Sequence, residues 1–239
     1  SLISQLRQAF LKEAMQEKLV SNETSDGKTG ADLLAEIQTE KENLIKEKKI
    51  KKQKPLPPIS KEEIPFDIPE NWRWCRLGEI QKEFLSGNAF KSNRYSKFET
   101  SNYVIRLGNV KNDVINEENN PAYIDDKYAM ESTRFLLKDN DLLITMTGTR
   151  GKKDYLFTSL ISNTSEKKLF LNQRVGCLRF LKSDEKYLSQ LLKLDVILNP
   201  IFDSSTGAAN QANVGVAAIS EAIIPLPPLE IQNRIVSKL

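Results

Sequence analysis

The sequence contains no histidine. That absence removes the commonest general base and the commonest metal ligand, so Ser-His-Asp, Cys-His and His-metal mechanisms are excluded within the chain. Cysteine is scarce as well. Cys75 and Cys177 each stand in an apolar or aromatic context without a neighbouring thiol. Neither a metal-knuckle spacing nor a disulfide framework can be read, and both thiols are expected to be buried small side chains. Long apolar runs are missing, so no membrane partner is expected. The opening SLISQLRQAF lacks the basic region and apolar stretch of a signal peptide, which points to a cytoplasmic location. A strong net charge is also missing: +3 overall permits nucleic-acid binding without demanding it.

What is present suffices for one sizeable core. The chain has 239 residues, of which 39% are hydrophobic and 28% charged, enough for a globular domain with helical extensions. Leu2, Leu6, Ala9, Phe10 and Ala14 recur at helical spacing and predict an amphipathic helix ending around Lys18 to Val20. Residues 22–30 are a polar break. A second helix is expected from Ala31, with Leu33, Leu34, Ile37, Leu44 and Ile45 on one side and Asp32 in its first turn. A lysine run then leads into Pro55-Leu56-Pro57-Pro58, where closely spaced prolines end any helix and favour an extended linker.

From Trp72 onward, short apolar segments alternate with Gly, Asn, Asp and Ser, the texture of strands and loops. Tyr103 to Leu107, Asp141 to Thr147, Arg174 to Leu181 and Ala222 to Leu226 are expected strands, and Tyr187 to Leu198 has helical spacing. At the far end, Pro227 and Pro228 precede a helix bearing Ile231, Ile235 and Leu239 at i, i+4, i+8. The fold class is therefore α+β. The expected layout is helical segments over 1–54, a Pro-rich linker over 55–66, a mixed globular domain over 67–225 and the start of a further helix over 226–239. No internal repeat is visible.

Two stretches imitate catalytic motifs. Asn120-Pro121-Ala122-Tyr123 is one proline short of the loop with which adenine methyltransferases hold a flipped base, and no glycine-rich cofactor loop precedes it. An ordinary turn is the simpler reading. Asp154 with Glu166 and Lys168 loosely imitates the carboxylate and lysine set of metal-dependent nucleases, but a solvated polar face explains it better.

Three loops offer groups suited to DNA. Residues 145–153 run from an apolar strand into a stretch with two glycines, hydroxyls and the cations Arg150, Lys152 and Lys153, with Thr149 alongside. Glycines allow close backbone approach, arginine can grip guanine bidentately, and lysine supplies point charge to phosphates. Lys91, Arg94 and Tyr95 mark a second such loop, and Asn210 and Gln211 a third. Asn172 and Gln173 stand just before a strand, where they could reach base edges or satisfy local backbone.

In order along the chain come LRQAFLKEAMQEKLV, LLAEIQTEKENLIKEKKIKKQKPLPPI, IPFDIPENWRWCRLGEI, LNQRV and IIPLPPLEIQNRIV. Across essentially its whole length the chain resembles the specificity subunits of Type I restriction-modification systems. The resemblance implies a target recognition domain flanked by helical conserved regions that form a coiled-coil spacer. It implies a non-catalytic, prokaryotic protein that binds double-stranded DNA, with modification subunits carrying S-adenosylmethionine and restriction subunits using ATP and Mg²⁺. No cofactor is expected in this chain. Members usually carry two recognition domains, so one domain here implies half of a bipartite target, in a fragment or in a half-subunit that pairs with a second copy. Leu33, Ile37, Leu44, Ile231 and Ile235 are expected at the spacer and subunit contacts, because such apolar stripes are not left in water. The sequence departs from the family at Gly87-Asn88-Ala89-Phe90, where Gly-x-Thr-Pro is frequent, and at Ile231, where a second Glu is common. A catalytic DNA enzyme and a helical scaffold without a nucleic-acid role are the competing readings.

Overall fold

The computed structural model describes residues 2–14, 20–162, 164, 166–208 and 210–239. Along the chain run α1 (Leu2–Ala14), α2 (Gly30–Lys46), β1 (Arg73–Arg76), α3 (Leu77–Ile80), β2 (Gln81–Ser86) and β3 (Asn102–Ile105). Next come β4 (Val110–Lys111), β5 (Val114–Ile115), α4 (Asp126–Glu131), β6 (Leu142–Thr145), β7 (Thr147–Gly148) and β8 (Thr158–Leu160). The chain closes with β9 (Lys168–Leu171), β10 (Val175–Phe180), α5 (Glu185–Leu191), α6 (Asp195–Asp203), β11 (Ala212–Asn213), α7 (Val216–Glu221), β12 (Ile223–Leu226) and α8 (Leu229–Val236). The mixture is α+β, as composition and periodicity predict. Each strand expected from the sequence has a counterpart within a few residues. The helical spacing at 187–198 is divided between α5 and α6, and the expected end of the first helix at residues 18–20 falls largely outside the described residues.

The chain forms two compact units. One comprises residues 1–83, 180–204 and 215–239; the other comprises 84–179 and 205–214.

In the first unit, α2 begins with a reciprocal cap: Asp32 donates its N–H to Thr29 Oγ1 at 3.1 Å, and Thr29 donates its own N–H to Asp32 Oδ2 at 2.9 Å. The Thr29 hydroxyl, which donates to Asp32 Oδ2 at 2.7 Å, and then the Thr29 N–H hold the Asp32 carboxyl below the usual carboxylate range. Gly30 is required here, because a Cβ would stand 2.0 Å from the Leu226 carbonyl oxygen. The helix lies against β1 and α3, while α8 lies against α5. β1 pairs antiparallel with β12 in the register Arg73 to Leu226. Leu33, Ile37, Ile231 and Ile235 are all buried inside this unit, and Leu44 is half-buried. Of the residues expected at spacer and subunit contacts, the four buried ones are covered by the chain's own elements, so they are not available as an exposed surface for another subunit. Cys75 is fully buried and carries no disulfide, and burial pushes its thiol up.

The proline-rich segment is tied down by one side chain. Arg76 is only 4% exposed. Its Nε donates to the Pro57 carbonyl at 2.6 Å, one terminal nitrogen to the Glu221 carbonyl at 2.6 Å, and the other to the Pro58 carbonyl at 2.9 Å and the Glu63 carboxylate at 3.0 Å. Prolines lack an N–H, so their carbonyls are the polar groups left to pair, and a planar guanidinium reaches several at once. Beside this strap a groove of about 870 Å³ is walled by α2, Trp72 and Trp74. In it, Lys41 Nζ donates to Gln53 Oε1 at 2.9 Å and to the Gly78 carbonyl at 2.7 Å. Burial lowers its pKa to about 8, against the pull of Glu79.

In the second unit a four-stranded sheet runs β2-β10-β6-β8. A separate parallel pair joins β3 to β9, from Asn102 opposite Lys168 to Ile105 opposite Leu171. Alternation along this pair is informative. Tyr103, Ile105, Leu169 and Leu171 enter one apolar cluster with Leu143, Val175 and Cys177, whereas Val104 and Phe170 enter another with Phe90, Ile124 and Tyr128. Apolar material on both faces is why these strands read as near-continuous hydrophobic runs. The buried Asp141 and half-buried Arg179 add a bidentate pair, both bonds at 2.7 Å.

Two outcomes follow from the first unit. Arg76→Met should lower the unfolding free energy by about 1 to 2 kcal/mol, since it removes the buried guanidinium that pairs the Pro57, Pro58 and Glu221 carbonyls and the Glu63 carboxylate. Urea titration reads this, and an unchanged midpoint would mean that other contacts hold the strap. For Lys41, the folded pKa lies below its unfolded value, so between about pH 8 and pH 10.5 the unfolded chain binds more protons than the folded one. Stability of the natural chain relative to Lys41→Met should therefore rise as pH rises through that window; a flat or falling difference would remove the buried ammonium from the balance.

Candidate nucleic-acid interface

All residues expected to meet DNA lie in the second unit. The loop after β2 is held by backbone pairing: Asn88 donates its N–H to the Leu171 carbonyl at 2.9 Å and accepts from the Gln173 N–H at 2.9 Å. Gly87 permits this approach, since a Cβ there would meet the Asn172 carbonyl oxygen at 2.2 Å. Farther along the loop, the Arg94 guanidinium lies 3.6 Å above the Tyr128 ring and pairs with Glu131 at 2.8 Å. The Lys91 N–H donates to Tyr128 Oη at 3.3 Å and its side chain is exposed. Tyr95 is half-buried against the cluster containing Phe90, and burial raises its phenol pKa. Of the three residues expected here, Lys91 alone has an exposed charge with no described ion pair.

The loop after β6 is joined to the loop before α7. β7 pairs with β11, Gly148 opposite Ala212. Arg150 donates to the Ser205 carbonyl at 2.6 Å, and Tyr155 Oη to Ser205 Oγ at 3.2 Å. Asp154 Oδ1 accepts the Thr149 N–H at 2.5 Å, so the carboxylate that imitates a nuclease ligand serves as a loop cap. Lys153 takes a left-handed conformation, φ 48°. Lys152, Asn210 and Gln211 are exposed on these two loops.

Backbone hydrogen bonds connect all of these segments. Asn172 and Gln173 pair with Asn88; the Arg174 carbonyl accepts from Met146 N–H at 3.1 Å; the Met146 carbonyl accepts from Val214 N–H at 2.9 Å. Loops far apart in sequence thus share one rim. The Asn-Pro-Ala-Tyr stretch is structural: Ala122 is buried and accepts the Val104 N–H at 2.8 Å, and Tyr123 packs edge-on against Tyr103 with ring centroids 5.3 Å apart. Neither is poised to stack on an extruded base.

Beside the rim opens a cleft of about 330 Å³ that sequence reasoning missed, lined by Arg106, Asn109, Asn119, Asn120, Asn172 and Arg174 together with Leu107 and Gly108. Among the described residues, no acidic side chain lines it. Asn109, buried, organises one wall: its side-chain oxygen accepts the Arg106 N–H at 2.8 Å, and its amide nitrogen donates to the carbonyls of Asn116 and Asn119, each at 2.9 Å. Arg106 also bonds the Asn120 carbonyl, while its Nε is buried with no partner among the described residues. Two polar segments following apolar strands were the available signal; their adjacency depends on the parallel pairing of β3 and β9, which sequence does not reveal.

A model of the "Type I restriction modification DNA specificity domain" family matches residues 69–239. The chain is 32% identical over 241 residues to the Type I restriction enzyme EcoEI specificity subunit of Escherichia coli, covering 99% of this chain and 40% of that protein. It is also 32% identical over 243 residues to the EcoAI specificity subunit of the same organism, covering 99% of this chain and 39% of that one. The chain therefore spans about two fifths of the length of these curated relatives. A solved structure described as the structural basis of complex assembly and conformational transition of the type I R-M system shares the fold, with TM-score 0.50 at 19% identity over 99% of this chain and 49% of that one. On the family match over most of its length, the chain belongs to the Type I restriction-modification DNA specificity domains.

Proposed function

We propose that this chain reads one half of a bipartite double-stranded DNA target, as a non-catalytic part of a Type I restriction-modification complex in a prokaryotic cytoplasm. The observation that carries this reading is the connected rim of the second unit, where Lys91, Lys152, Asn172, Gln173, Asn210 and Gln211 stand on segments fixed to one another by backbone pairing. Cations there supply sequence-independent attraction to phosphates, and carboxamides supply donors and acceptors for base edges. Rigid backbone beneath them is what a recognition surface needs, because discrimination is lost when donors are free to re-aim. The partners in this reading are modification subunits that bring S-adenosylmethionine and restriction subunits that use ATP and Mg²⁺; the chain itself holds no cofactor. A second recognition domain, or a second copy, supplies the other half-site.

Arg94 and Arg150 take on a different role in this reading. Both guanidinium groups are engaged internally, one with Tyr128 and Glu131, the other with Ser205. They hold loops in place, and the lysines meet the phosphates.

Exchanging residues 84–214 into a reconstituted complex of known specificity should change one half of the methylated sequence and leave the other half alone. An unchanged target would overturn the reading. Within such a complex, Lys152→Ala should weaken binding uniformly across sequences and reduce the slope of log affinity against log salt by about 1. Arg150→Ala, by removing one of the ties between the two loops, should weaken target binding more than non-specific binding. Filter binding over a salt series distinguishes the two patterns.

A further inference from the structure

We infer that Arg174 is a specificity-determining residue that reads a guanine edge from the cleft it shares with Asn172, Asn120 and Arg106. This inference rests on the reading of the chain as a DNA-recognition module and names the contact that would carry part of it.

Asn172 and Arg174 are two residues apart at the entrance to β10, so their side chains leave on the same side, and both line the cleft, whereas Gln173 does not. Their backbone is held from two directions, by Asn88 pairing with Asn172 and Gln173 and by Met146 donating to the Arg174 carbonyl. Arg174 therefore projects from a fixed base. Its guanidinium is exposed and has no hydrogen bond or ion pair among the described residues. In this it differs from Arg76, Arg94, Arg106, Arg150, Arg179 and Arg234, each of which has described partners for its guanidinium.

Its surroundings select the ligand. Asn120 and Asn172 place carboxamides at the cleft beside Asn119, whose amide nitrogen donates to the Gly108 carbonyl at 2.7 Å, and among the described residues no carboxylate lines it. A carboxylate would accept from the cytosine amine; a planar guanidinium instead matches the two acceptors O6 and N7 on the major-groove edge of guanine. Phosphates can be met by the exposed lysines of the loops, so an arginine without a described partner, on rigid backbone beside carboxamides, is better suited to a base than to the backbone of DNA. Arg106, tethered to the Asn120 carbonyl, adds positive field at the rear of the cleft.

The test uses the assembled complex built from the full-length subunit, with a library of targets randomised across the half-site and bound sequences counted. Arg174→Ala and Arg174→Lys are compared with the unmutated complex and with Lys152→Ala. Arg174→Lys keeps the charge and removes the two-pronged donor. Because the side chain is exposed and unpaired, both variants should fold, checked by their urea midpoints. The expected result is that both lose preference for guanine at one position by roughly 10- to 100-fold, with the salt slope of Arg174→Lys unchanged. Uniform weakening at every sequence for Arg174→Ala, with full rescue by lysine, would make the residue a phosphate contact and overturn the inference. Unchanged preference in both variants would overturn it equally, while leaving the module's general role intact if the unmutated complex remains selective. An unmutated complex without base preference would sink both readings together.

Discussion

The parallel pairing of β3 with β9 is the constraint on which the candidate interface depends. In a parallel ladder both strands point the same way, so the residues that follow them emerge side by side at the same end. Continued by one step, the register that sets Ile105 opposite Leu171 brings Arg106 next to Asn172, and the Asn172 N–H extends the ladder to the Ile105 carbonyl at 3.0 Å. The cleft lies there, at the carboxyl ends of the two strands, a place where α/β sheets also tend to bind ligands. Two apolar clusters clamp the ribbon from opposite faces, so a one-residue slip would turn Tyr103 and Val104 toward the wrong cores and separate the cleft walls.

A second principle sorts the positive charges. Arginine side chains in this protein mostly act as internal braces: Arg76 across proline carbonyls, Arg179 on Asp141, Arg94 on an aromatic face and a carboxylate. A guanidinium suits this task because it is planar, carries several donors and is weakly hydrated. Lysines, strongly hydrated point charges, supply the exposed cations Lys91 and Lys152 on the loops of the rim. Net charge therefore says little about where DNA would sit; which cations retain free donors says more.

The first unit shows the same economy of means. Its proline-rich strap has no regular secondary structure over residues 51–60, yet Arg76 supplies the pairing that the strap's own backbone cannot. Lys41 does similar work at the other side of the groove, donating to carbonyls near α3. Segments that look like free linkers in composition are thus held wherever a buried cation can gather their carbonyls.

Local chemistry in the sequence determined a good deal. Periodicity placed α2, β6, β10, β12 and α8, because burial of one face leaves a local pattern. The absence of histidine excluded whole classes of mechanism, and the loops around Arg94, Arg150 and Asn210 were visible as polar and basic interruptions. Tertiary structure decided what those groups do. Leu33, Ile37, Ile231 and Ile235 form an outward stripe on paper and are buried within the chain, since an apolar face does not state whether its cover is internal or external. Arg94 and Arg150 look free until Tyr128, Glu131 and Ser205 are brought beside them. Arg106 and Arg174 look unrelated until a parallel ladder joins two distant strands. Each of these outcomes depends on a non-local contact, and composition, spacing and periodicity report only what neighbouring residues do to one another.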